Sequence, residues 1–167
     1  MQRSKLPPDC AARFDEYGLS GLDLSGAALM SYARGEWFLN EGREITYLLI
    51  LLSGKAKVCV NARNGRSLLL CYYISEGIVG DLELMTGSRL ASTSMQAVTP
   101  LRCIALPLER YAPILRAHLP FVLRAGEALA MKLEARVRAS TGTILRPFAA
   151  RLCEYLLETA QDGVCSE

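Results

Sequence analysis

Thiols and one imidazole are the side chains of this 167-residue chain best suited to nucleophilic, redox or metal chemistry, and their spacing argues against each. The six cysteines, Cys10, Cys59, Cys71, Cys103, Cys153 and Cys165, include no Cys-x-x-Cys pair, and three of them lie inside apolar runs where cysteine behaves as a small buried hydrophobe. They read as reduced thiols rather than a disulfide framework or a metal site. His118 is the single histidine and stands close to a proline at a helix junction, where an orienting or capping role fits better than ligation of a metal or haem. There is no P-loop, no Gly-x-Ser-x-Gly, no His-Glu-x-x-His and no cysteine with a nearby base, so an enzyme is not expected.

The composition bounds the remaining classes. With 51% hydrophobic and 22% charged residues and a mean hydropathy of +0.19, the chain is neither disordered nor collagen-like; it is one domain, or one domain with an appendage. A net charge of +2 gives no polyanion-binding field, which leaves nucleic acid neither indicated nor excluded. The longest apolar run, Leu48 to Leu52, is far short of the roughly 20 residues that cross a bilayer. The N-terminus has a basic edge without an apolar stretch after it, so no secretory signal or membrane partner is expected and the cytoplasm is the expected location.

The elements divide near residue 107. Before it, short β-rich segments are punctuated by glycine: Leu29 to Ala33, Glu36 to Asn40, Thr46 to Leu52, Ala56 to Asn61, Ser67 to Ile74, Ser92 to Val98 and Leu101 to Leu106. Asn64-Gly65 predicts a type I′ turn joining the fourth and fifth of these. After it come helices: Leu108 to Ala117, a long one opened by Pro120, and a third from about Pro147 to Gln161, stopped by Asp162-Gly163. The predicted class is α+β with segregated elements, the strands forming a sandwich or barrel. In the long helix Val122, Leu129, Leu133, Val137 and Ile144 recur at steps of three, four or seven, with Gly126 and Ala130 as a small-residue notch on the same side. Such a stripe either packs on the chain's own sheet or, being narrow, pairs with an identical helix; the second reading predicts a homodimer.

The glycines carry a resemblance. Arg34-Gly35-Glu36, Glu41-Gly42, Leu52-Ser53-Gly54-Lys55-Ala56-Lys57-Val58, Asn64-Gly65, Gly77 and Val79-Gly80-Asp81-Leu82-Glu83-Leu84 are similar in order and spacing to the framework of the cyclic-nucleotide-binding domain, a β jelly roll (double-stranded β-helix). The resemblance covers about residues 20–118. The long helix over 119–146 resembles the dimerisation helix of the CRP/FNR family of bacterial transcription regulators, and the pattern Gly80-Asp81-Leu82-Glu83-Leu84 together with Ala105-Leu106-Pro107-Leu108 and the third helix looks like the family's YeiL-type branch. Residues 147–167, with Pro147-Phe148-Ala149-Ala150-Arg151-Leu152-Cys153-Glu154-Tyr155-Leu156-Leu157, look like the helix that opens the family's winged-helix DNA-binding domain. Residues 1–19 are an N-terminal segment. The helix-turn-helix that should follow is absent from this sequence, so promoter DNA is expected to be bound through a C-terminal domain outside this chain. The implied function is that of the effector-sensing and dimerisation part of such a regulator; the alternative is a free-standing ligand-binding module that regulates a protein partner.

In family members that bind cyclic AMP, a short helix after a Gly-Glu pair presents its N–H groups to the phosphate, the Glu holds the ribose and an Arg-Ser pair completes the clamp. The resemblance places Gly80, Asp81, Leu82, Glu83 and Leu84 at this site, with Ala91 and Ser92 where Arg and Ser would stand. Arg89 substitutes only if the loop Thr86-Gly87-Ser88 is re-registered. Losing the guanidinium fork costs about 1.5 to 3 kcal/mol, so three readings stay open: a structural corner with a vestigial pocket, a site for a small effector of unknown identity, and a cyclic-nucleotide site of unusual kind. Glu83 is either a solvated helix residue or a hydrogen-bond partner inside the pocket. An iron–sulfur cluster is not expected, because only Cys10 lies near the N-terminus, where FNR-like chains group their ligands.

Overall fold

The structure, a computed structural model, describes residues 2–4, 6, 10–61, 67–145, 149, 160–161 and 164–165. It splits into two compact units, Met1–Leu129 and Ala130–Glu167. In the first, two antiparallel sheets face each other as a jelly roll. One has the order β1 (Gln2–Ser4), β2 (Ala28–Tyr32), β9 (Leu101–Pro107), β4 (Tyr47–Ser53), β7 (Gly77–Val79); the other has β3 (Trp37–Leu39), β8 (Ser94–Ala97), β5 (Ala56–Asn61), β6 (Ser67–Ile74).

The central strands explain the apolar runs. Along β4, Leu49 and Leu51 point into a core between the sheets, whereas Leu48 and Ile50 point into a second core on the other face. On β9, Leu101, Cys103 and Ala105 take the first side and Ile104 and Leu106 the second. A strand covered on both faces loses its polar alternation and reads as a continuous hydrophobic run. The second core is covered by helices. Tyr17 and Leu19 follow α1 (Ala11–Glu16), Tyr111 and Leu115 come from α3 (Leu108–Ala117), and Phe121 and Ala125 from the first turns of α4 (Leu119–Leu145). Tyr111 also spends its hydroxyl usefully, accepting the Gly26 N–H at 2.9 Å.

Most expected elements are present: Ala56–Asn61, Ser67–Ile74 and Leu108–Ala117 have the expected ends, and other strands are shifted by one or two residues. Strands β1 and β7 were not foreseen; both are three residues long, too short to show a period. The β5–β6 ladder pairs Asn61 with Ser67, whereas a two-residue turn at Asn64-Gly65 would pair Asn61 with Leu68; the turn itself lies outside the described residues. The body of the expected third helix also lies largely outside them, but its end is corrected. Ala160–Gln161 form β10, antiparallel to β11 (Val164–Cys165), and the intervening Asp-Gly is a hairpin sequence as much as a helix stop. Cys10, Cys59 and Cys103 are buried and unbridged. Burial pushes the Cys103 thiol up to about 12.

Gly54, between β4 and β5, has φ of +95°, and a Cβ there would lie 2.3 Å from the Pro100 carbonyl oxygen. Both the backbone conformation and the space exclude a side chain. Gly54→Ala is expected to destabilise the protein by about 2 kcal/mol or more, read as a lower urea midpoint at unchanged slope.

Candidate functional site

The corner expected to hold an effector is built on α2 (Asp81–Thr86), a six-residue helix between β7 and the return to β8. Its entry is Gly80, whose φ of +91° favours glycine and whose Cβ position lies 2.8 Å from the end of the Ile45 side chain. The Leu84 N–H donates to the Gly80 carbonyl at 2.9 Å and starts the helix. Leu82 faces outward, while Asp81 and Glu83 are 3% and 4% exposed. The Asp81 carboxylate accepts the Leu82 N–H at 3.1 Å.

Glu83 is the informative residue. Its Oε1 accepts two hydrogen bonds from Ser92, from the backbone N–H at 2.8 Å and from Oγ at 2.6 Å. A buried carboxylate is tolerated when donors replace the water it has lost, and the shorter bond lies in the charge-assisted range. The solvated reading of Glu83 is therefore overturned. Sequence alone gave little sign of this, because an acidic residue two positions after another on a short helix ordinarily points to solvent.

The chain before Ser92 runs antiparallel to residues 42–45. Gly42 N–H donates to the Ala91 carbonyl, Ala91 N–H to that of Arg43 and Ile45 N–H to that of Arg89, at 2.8 to 2.9 Å. This ladder fixes which side chains turn inward. Ala91 is buried in the inter-sheet core, and Arg89 points away, 87% exposed and 3.5 Å from Glu44. In this register Arg89 does not reach the corner.

The far end of α2 is tied to α3. Arg116 Nε and Nη2 both donate to the Leu84 carbonyl, at 2.8 and 2.6 Å; the sequence reading missed this contact, since an arginine in a helix's last turn is ordinary. His118 then closes α3, its N–H donating to Leu115 and its carbonyl accepting from Val122 at the start of α4. Its Nε2 is buried without a partner among the described residues. Along α4 the expected stripe divides: Val122 and Leu129 are half-buried, Gly126, Leu133 and Val137 are exposed, and the Ile144 side chain lies outside the described residues. Leu119 and Leu123, not foreseen, are exposed as well. They extend Gly126, Ala130, Leu133 and Val137 at alternating steps of four and three.

The cyclic nucleotide-binding domain family matches residues 29–118. The regulatory protein YeiL of Escherichia coli O157:H7 is 24% identical over 135 residues, which are 81% of this chain and 61% of YeiL; the chain thus spans about three fifths of that relative's length. Among solved structures, the c-di-GMP responsive global regulator CLP of Xanthomonas campestris superimposes with a TM-score of 0.73 at 18% identity, over 94% of this chain and 76% of that one. A protein of Eubacterium rectale described as a transcriptional regulator of the crp/fnr family gives 0.68 at 18%, over 79% and 62%. At these identities the structural likeness speaks for the fold. The family match, which takes in more than half of the sequence, says more: the chain belongs to the cyclic nucleotide-binding domain family.

Proposed function

We propose that this chain is the effector-sensing and dimerisation part of a transcription regulator of the CRP/FNR kind. In this reading an effector at the α2 corner shifts two paired α4 helices and so repositions DNA-binding heads. The observation that carries it is the order of parts: a family-matched jelly roll over 29–118, followed directly by a 27-residue helix with exposed leucines. The regulatory names of YeiL and of the structural neighbours support it. Promoter DNA falls, in this reading, to a C-terminal domain beyond the long helix.

An apolar face of Leu119, Leu123, Leu133 and Val137 is costly to leave in water and suits a second copy of the same helix, with Gly126 and Ala130 allowing close approach. The protein is expected to sediment as a dimer at micromolar concentration. Leu133→Glu combined with Val137→Glu is expected to make it a monomer, because each subunit would then bring two carboxylates into an apolar seam. A monomeric parent protein would contradict this reading and favour a module that docks a different chain.

Arg116 supplies the coupling in this proposal, because it joins the corner helix to the helix that leads into α4. Arg116→Ala is expected to cost about 1 kcal/mol of stability, since the guanidinium is partly solvated. It should also speed hydrogen exchange in α2 while leaving the amides of β4 and β9 protected. Unchanged exchange in α2 would show that the contact holds nothing in place.

A further inference from the structure

Two donors from one residue, the Ser92 N–H and Oγ–H, converge on a single oxygen at 2.8 and 2.6 Å. That arrangement is an anion-recognition pair. In this protein it is filled by the chain itself, through a Glu83 side chain that is 4% exposed. Among the described residues no basic side chain forms an ion pair with Glu83, and its carboxylate is held by the two Ser92 donors. A second buried carboxylate, Asp81, stands two residues earlier on the same helix. The nearest arginine along the chain, Arg89, is turned to solvent.

We propose that Glu83 is the specificity-determining residue of this corner: its carboxylate is the anion that Ser92 holds, and it turns away effectors that carry a phosphate ester more strongly than uncharged ones. This rests on the effector-sensing reading above and sharpens it by naming the class of ligand refused. The physics has two parts. An incoming phosphate finds the Ser92 donors already engaged, and it meets a like charge in a place where water screens poorly. An uncharged ligand meets only the first obstacle.

The test is calorimetric titration of the whole chain with cyclic AMP and with adenosine, which differ by the charged phosphate. Three proteins are compared: the parent, Glu83→Gln and Glu83→Ala. Glu83→Gln keeps an acceptor for Ser92 and so preserves the fold while removing the charge; Glu83→Ala removes both. Cyclic AMP affinity is expected to rise from parent to Gln to Ala, by at least tenfold overall, with adenosine changing less than threefold. Micromolar cyclic AMP binding by the parent would overturn the proposal. So would equal gains for both ligands, which would mean that the substitutions merely open space, or no gain in the well-folded Gln variant. Each of these failures leaves the dimer intact and is thereby distinguished from a failure of the regulator reading, which sedimentation reports.

Discussion

One buried carboxylate oxygen, shared between the N–H and the hydroxyl of Ser92, holds the corner of this jelly roll together. Glu83 is locked on a helix only six residues long, too short to be stable by itself. The helix persists because it is tied at three points: Gly80 lets the chain enter against Ile45, Ser92 grips Glu83, and Arg116 grips the Leu84 carbonyl. Remove the middle tie and a carboxylate is left buried without donors, a penalty of several kcal/mol. The corner is therefore specified by polar contacts, unlike the rest of the domain, which is specified by packing.

The packing in turn places the corner next to the helices. Strands β4 and β9 contribute alternate residues to both cores, so the inter-sheet interior that buries Ala91 and the helix-covered layer that buries Leu84, Leu115 and Phe121 share the same two strands. Close-packed interiors pass displacement on rather than absorbing it. A shift of α2 is then felt by α3 directly through Arg116 and by the first turns of α4 through the shared core. In the proposed reading, these contacts are the route from an effector at the corner to a paired helix.

Much of this was legible in the sequence, and the misses have causes. The β4 and β9 runs and α3, with its start after Pro107 and end at Ala117, could be read because two-sided burial and helical periodicity leave strong patterns. Strand β7 could not, because Gly77-Ile78-Val79 is defined by pairing with Leu49–Leu51, a contact between distant parts of the chain. The stripe on α4 was legible as an apolar side, with Val122 and Leu129 half-buried and Gly126, Leu133 and Val137 exposed. Periodicity shows that a helix has an apolar side, and does not show that Phe121 and Ala125 cover the chain's own core while Leu119 and Leu123 stay exposed. Glu83 was the hardest, since its burial depends on a serine nine residues later. The one available signal was the resemblance, which implies that Glu83 and Ser92 stand at the same corner.

The claim that the corner carries its own anion is tested most directly at the Ser92 amide, by nuclear magnetic resonance on isotopically labelled protein. If Glu83 holds that N–H, its proton resonates downfield, exchanges slowly with solvent and stays in place as cyclic AMP is added to millimolar concentration. An amide that exchanges rapidly in the free protein and shifts on adding the nucleotide would show an empty anion site, and the account would be wrong at its centre.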